Sequence, residues 1–235
     1  MSIPPQITFL ACLPRSRSAW CANLLTHGPS FAYHEPLRWA VQDSGPADGT
    51  PAQVPNWLEL ARLAGTEYVT FCDTAFAYYW KRAMESVPKA RALILWQGAE
   101  VSRLDWNKAV AKAGQPSLHN ELGNEFYHME RELRQLEEYG LPASRVGHMR
   151  VKSLDRMSGV QALWEFCTGY GPFSPKLDLR RARMLMDLDI QAILPRYIDD
   201  SGAAPKVRMI GDVAPSPQPS PPVGAREKTK GVPCH

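Results

Sequence analysis

Ile7-Thr8-Phe9-Leu10-Ala11-Cys12-Leu13-Pro14-Arg15-Ser16-Arg17-Ser18-Ala19-Trp20-Cys21-Ala22-Asn23-Leu24-Leu25 decides the reading of this chain. A continuous run over 7–13, apolar but for Thr8, suits a strand covered on both faces. Residues 18–26 have helical composition, and Gly28-Pro29 stops them. Between the two lie a proline and two arginines interleaved with serines. A strand that turns directly into a helix offers free backbone N–H groups and the positive end of the helix dipole. Arginine adds forked donors that fit phosphate or sulfate oxygens, and serine adds hydroxyls. The segment is therefore an expected anion-binding loop. It has neither the glycines nor the lysine of a Walker A loop, which counts against a small-molecule kinase.

The rest of the chain repeats the alternation. Strands are expected over 68–72, 92–96 and 145–151. Helices are expected over 54–63, after Asp73 as N-cap, over 99–112, from Ser117 to Tyr139, over 157–168 and over 179–190. In the helix after Asp73, Phe76, Tyr79, Trp80, Ala83, Met84 and Val87 form one apolar stripe. Leu118, Leu122, Phe126, Met129, Leu133 and Leu136 form another, and Val160, Leu163, Trp164 and Cys167 a third. Strands alternating with helices predict an α/β fold, a parallel sheet of about four to five strands flanked by helices in three layers. The strand over 7–13 is expected at its centre, with the loop 14–18 on the carboxyl edge where such sheets bind ligands.

Composition narrows the function classes. The chain has 235 residues and a formal net charge of +3, from 27 Lys and Arg against 24 Asp and Glu. That balance gives no reason to expect nucleic acid. No 18-residue apolar run suggests a membrane span, and the first residues lack the pattern of a secretory leader. The five cysteines form no C-x-x-C pair, and Cys12, Cys21, Cys72 and Cys167 lie in apolar segments. Buried free thiols and a cytoplasmic location are expected. No metal-ligand cluster is evident. His119 and His128 stand nine apart on one helix, too far to share an ion. Residues 1–200 are expected to form one domain. Residues 201–235, rich in proline around 215–222, are expected to be a disordered or polyproline-like tail.

Pro14, Arg15, Ser16, Ser18 and Trp20 resemble the phosphosulfate loop of sulfotransferases, with Arg17 at a position where that family has Gly and Ala19 where it often has Thr or Ser. The loop resembles in particular that of bacterial and phage-encoded sulfotransferase-like proteins. The resemblance implies a P-loop, nucleotide-kinase-like fold. It implies transfer of a sulfuryl group from 3′-phosphoadenosine 5′-phosphosulfate to a hydroxyl acceptor, a small molecule or a glycan, without a metal. It places the catalytic cation at Arg15. Pro14, Ser16, Arg17, Ser18 and the backbone of Ala19 and Trp20 would hold the donor, Arg17 either helping or facing solvent. Glu35, in Phe31-Ala32-Tyr33-His34-Glu35-Pro36, resembles the family's general base, with His34 as the alternative. Pro36 is expected to keep Glu35 extended, with Phe31, Tyr33 and Trp39 as an apolar surround.

The family's clamp for the 3′-phosphate is an Arg at the end of the third of these strands, followed by a Ser on the next helix. Here Trp96 and Gln97 stand in the Arg position and Gly98-Ala99 replaces an Asp-Pro turn, with Ser102 and Arg103 as substitutes. Two readings follow: a sulfotransferase-like enzyme, or a noncatalytic anion- or nucleotide-binding protein of the same fold with a degenerate 3′-phosphate site. The acceptor pocket is assigned to variable loops such as 40–54.

Overall fold

The computed structural model describes residues 4–36, 57–112, 114, 123–169 and 174–187. Trp39, the loop 40–54, Ser117, Leu118, His119, Leu122, residues 188–190 and the tail 201–235 lie outside the described residues. So does Cys234.

The order of elements is β1 (Gln6–Cys12), α1 (Ser18–Leu25), β2 (Ser30–His34), α2 (Trp57–Ala64), β3 (Tyr68–Asp73), α3 (Phe76–Ser86), β4 (Arg91–Trp96), α4 (Ala99–Lys112), α5 (Gly123–Glu138), β5 (Val146–Arg150), α6 (Met157–Thr168) and α7 (Leu179–Asp187). A 3-10 turn over Val151–Asp155 joins β5 to α6. The five strands form one sheet in the order β2-β3-β1-β4-β5. All four pairings are parallel. The α/β architecture expected from the alternation is present, with β1 at the centre.

One strand was not expected. Residues 30–34 read as the start of a loop, because Pro36 and the nearby Gly28-Pro29 are loop signals. They form β2, an edge strand whose Ala32 lies opposite Thr70 and whose His34 lies opposite Cys72. Partnership with β3 overrides the local signal. The alternation is visible afterwards: Ser30 and Ala32 are buried on one face, while Tyr33 stacks on Phe71 on the other, with ring centroids 5.3 Å apart.

Helices cover both faces. On one face Ile7, Phe9 and Ala11 of β1 pack with α2, α3, α4 and α5, and Trp57, Phe71, Phe76, Phe126 and Leu133 fill the layer. On the other, Leu10 and Cys12 pack with α1, α6 and α7, around Trp20, Leu24, Leu163 and Trp164. The stripe residues Phe76, Trp80, Ala83, Met84 and Val87 are buried, as are Phe126, Met129, Leu133 and Leu136 and the α6 set Val160, Leu163, Trp164 and Cys167. Asp73 is not the N-cap residue of α3: it ends β3, Ala75 takes the cap position, and Asp73 Oδ1 accepts from the Ala75 N–H at 2.8 Å.

Close approach, not backbone freedom, explains Gly159. A Cβ there would lie 2.0 Å from the Ser153 carbonyl oxygen, so α6 sits directly against the 3-10 turn. Phe9 is the centre of the aromatic layer: its ring stacks on Phe76 at 4.8 Å and on Phe71 at 5.6 Å and meets Trp57 edge-on at 5.2 Å. Phe9→Ala is expected to cost about 3–5 kcal/mol. A lowered urea midpoint with an unchanged slope would be the signature.

Candidate active site

The loop between β1 and α1 leaves the carboxyl end of the central strand, as expected. Leu13 is fully buried, and the Ser16 N–H donates to its carbonyl at 3.2 Å. Arg15 and Arg17 both adopt the left-handed region, with φ of 69° and 62°. For a residue with a Cβ this costs roughly 1–2 kcal/mol. The Arg17 conformation gives a physical reason why glycine suits this position of the resembling loop. Strain of this kind persists only where surrounding structure holds it, and it concentrates at ligand sites.

Arg17 occupies the N-cap position of α1 and makes no side-chain capping bond, and the first turn carries no acidic residue. The first bond of the helix runs from Cys21 N–H to the Arg17 carbonyl at 2.9 Å. The N–H groups of Ser18, Ala19 and Trp20 precede it, so helix geometry leaves them without intrahelical acceptors. The Ser16 hydroxyl is buried without a hydrogen-bond partner among the described residues. Backbone N–H groups, an orphan hydroxyl and a helix dipole converging on one loop can bind an anion.

The Arg17 guanidinium pairs with Asp155, N to O 2.6 Å, both side chains substantially exposed. Trp20 is buried in the core behind the loop, and its indole N–H donates to the Leu185 carbonyl at 2.8 Å. Ser18 Oγ lies 3.2 Å from His34 Nε2. The contact arises because His34 shares a face of β2 with Ser30 and Ala32, the face toward α1.

Glu35 departs from expectation. Its φ is 49°, left-handed rather than extended. Its N–H still continues the pairing with β3, donating to the Cys72 carbonyl at 2.8 Å. β2 ends at His34, and the chain turns out of the sheet at Glu35, against the usual extended preference before proline. Tyr33 is committed to the core, stacked on Phe71 and donating its hydroxyl to the Leu60 carbonyl at 2.9 Å. Phe31 meets it edge-on at 4.9 Å.

Asp73 lies beside the site and was not among the expected site residues. Its register places it opposite Ala11, so an almost wholly buried carboxylate ends β3 between the Glu35 turn and the anion loop. Burial pushes the Cys12 thiol well up, and the neighbouring Cys21 and the Glu35 and Asp73 carboxylates push it further. The same desolvation raises Cys72 and Cys21, and Cys167 is pushed up to about 12. These four thiols are buried and free. The signal for Asp73 in the sequence is an acidic residue closing an apolar strand, on the edge where ligands bind.

The corner beyond β4 holds few free donors. Trp96 lies opposite Arg150 of β5, with the Arg134 guanidinium over its ring at 5.3 Å. Gln97 donates to Asp105 at 3.2 Å. Glu130 accepts from the Ala99 N–H at 2.8 Å and from Arg134 at 2.7 Å. A carboxylate thus occupies the start of α4, where a phosphate would otherwise gain from the dipole. Arg103 is bound to Glu100 at 2.5 Å, and Tyr127 donates to the same carboxylate at 2.8 Å. Ser102 is buried, its hydroxyl without a partner among the described residues. No sequence pattern announces Glu130, which is 31 residues from Ala99. Among the described residues no group of three or more His, Cys, Asp or Glu is placed to hold a metal. None of their helices is long and apolar enough to cross a membrane.

No family model matches the sequence, and no curated protein matches it. Among solved structures the chain is similar to a sulfotransferase from Alicyclobacillus acidocaldarius, at 15% identity and a TM-score of 0.49, over 76% of this chain and 86% of that one.

The β4 corner has a pH signature. Hydrogen bonds from Arg103, then from Tyr127, hold the Glu100 carboxyl down from 4.5 to about 2. A lowered value in the folded state stabilises the fold above the ordinary value, and that contribution is lost as pH falls through the folded one. Between pH 4.5 and about 2, Glu100→Gln is expected to lose less of its melting temperature than the parent does. Parallel losses in the two chains would remove this carboxyl from acid unfolding.

Proposed function

We propose that the chain is a sulfotransferase-like enzyme that moves a sulfuryl group from 3′-phosphoadenosine 5′-phosphosulfate to a hydroxyl acceptor, a small molecule or a glycan. One observation carries the reading. The strained, uncapped Pro14–Ser18 loop sits at the carboxyl end of the central strand, and the end of β2 brings His34 within 3.2 Å of Ser18. Anion donors and a candidate base therefore share one edge of the sheet.

In this reading the N–H groups of Ser18, Ala19 and Trp20, the Ser16 and Ser18 hydroxyls, and Arg15 hold the 5′-phosphosulfate. Glu35 takes the proton of the acceptor hydroxyl. The acceptor oxygen bonds to sulfur as the bond from sulfur to the 5′-phosphate oxygen breaks. 3′-Phosphoadenosine 5′-phosphate leaves with the bond's electron pair. Arg15 and the helix start stabilise charge growing on the leaving phosphate, electrostatic work that preorganised donors do well. His34 Nε2 lies against the Ser18 hydroxyl, at the end of the strand that carries Glu35, so His34 stands as the alternative base.

The donor's second anionic end fits the described residues less well. Arg103 is engaged by Glu100, and Glu130 occupies the α4 N-terminus. Only Ser102 of the two substitutes keeps an unused hydroxyl. The reading includes residues 1–200 as the catalytic domain, with 201–235 as an appendage. Four buried free thiols suit a reducing compartment such as the cytoplasm.

Calorimetry with 3′-phosphoadenosine 5′-phosphate against ATP tests the donor. Binding of the first alone supports the reading, and binding without turnover on any acceptor would leave an anion-binding protein of the same fold. With labelled donor and a panel of hydroxyl acceptors, Glu35→Gln is expected to abolish turnover while keeping nucleotide binding and the melting temperature. His34→Gln should be milder. Arg15→Ala is expected to lose on the order of 2–4 kcal/mol of transition-state stabilisation, more than Arg17→Ala. A silent Arg15→Ala beside a crippled Arg17→Ala would reverse the two roles.

A further inference from the structure

We propose that Asp155 is a positioning residue for the anion loop: its carboxylate holds Arg17 in the left-handed conformation that aims the first N–H groups of α1. The proposal rests on the anion-binding role given to that loop above.

Three observations carry it. Arg17 has φ 62° and ψ 26°, with no side-chain cap of its own. Its carbonyl accepts the first helical hydrogen bond, from Cys21, so its backbone sets the direction in which the N–H groups of Ser18, Ala19 and Trp20 point. Its guanidinium is bound by Asp155 at 2.6 Å.

The carrier of Asp155 is rigid. The 3-10 turn Val151–Asp155 buries Val151 and Leu154. Its exit is fixed by bonds from Arg156 N–H to the Ser153 carbonyl and from Gly159 N–H to the Arg156 carbonyl, at 3.2 and 3.0 Å. α6 lies so close that Gly159 has no room for a Cβ beside the Ser153 carbonyl. A fixed carboxylate therefore meets a flexible arginine, and the arginine adjusts. With glycine at position 17 the left-handed region is open without such a tether. The pair Arg17–Asp155 takes over the work of a glycine in this loop.

An exposed pair of good geometry holds up to about fivefold in an equilibrium. Asp155→Asn is expected to weaken binding of 3′-phosphoadenosine 5′-phosphate by roughly that factor. In ligand-free protein it is also expected to speed amide hydrogen exchange at Cys21. Asp155→Glu should restore part of both. In an Arg17→Gly background, Asp155→Asn should change neither.

Exchange at Cys21 that is identical in parent and Asp155→Asn overturns the proposal. So does an equal effect of Asp155→Asn with and without Arg17. Tighter nucleotide binding by Asp155→Asn would make Asp155 only a competing counter-anion. If the parent binds neither this nucleotide nor inorganic pyrophosphate, the functional reading fails. The exchange data, which need no ligand, still decide the positioning claim.

Discussion

Parallel pairing of β1 with β3 on one side and β4 on the other is the constraint on which the structure depends. It fixes the carboxyl end of β1 in the middle of the sheet edge, with Ala11 beside Asp73 and Cys12 beside Leu95. The chain must then leave a strand buried from Ile7 onward and enter a helix within five residues, Leu13 to Arg17. Two left-handed arginines make that turn. Both ends of the turn are clamped, the strand by its neighbours and α1 by the aromatic and aliphatic layer beneath it, and the Asp155 pair tethers Arg17 between them.

The clamp on α1 comes from the far end of the described chain. Trp20 is tied to the Leu185 carbonyl of α7. Arg181 of α7 donates to the carbonyls of Asn23, Leu24 and Thr26. These are carbonyls that the helix end leaves without intrahelical donors. One arginine satisfies them and offsets the negative end of the α1 dipole. The opposite end of that dipole is left without an acidic cap. So α1 is neutralised where it meets α7 and left electropositive where it meets the loop, the polarity an anion site requires.

The sheet edge is divided electrically. Around β1 and β2 the helix start is uncapped and the donors converge. Around β4 the helix start is capped by Glu130, and Arg103 and Arg134 are held by carboxylates. A cation already bound to a carboxylate must exchange one anion for another, so it gains less from a phosphate than a cation that meets only water. At the first corner Arg17 is likewise held, by Asp155, so the difference between the corners lies in the helix starts: that of α1 is uncapped and that of α4 is occupied by Glu130.

Much of this was legible in the sequence, and the reason is periodicity. Largely apolar runs at 7–13, 68–72 and 92–96, broken only by Thr8 and Thr70, announced strands buried on both faces, and apolar stripes at helical spacing announced which helix faces point inward. The pattern Pro14-Arg15-Ser16-Arg17-Ser18 located the loop, because its residue types carry anion chemistry whatever surrounds them. What the sequence could not supply were contacts between distant segments. β2 is short and flanked by loop signals, so only its pairing with β3 makes it a strand. Glu35 departs from the extended form where the chain leaves the edge of the sheet after β2. Asp73 reads as a helix cap, and Glu130 and Asp155 as ordinary surface carboxylates, until the fold sets one beside Ala11, one on the N–H of Ala99 and one on the guanidinium of Arg17. Local patterning determines the elements and the loop's chemistry, since both depend on near neighbours in the chain. Helical spacing encodes the local pairs Glu100–Arg103 and Glu130–Arg134, but tertiary packing alone decides which charges on distant segments meet, because Coulomb and hydrogen-bond energies depend on distance in space.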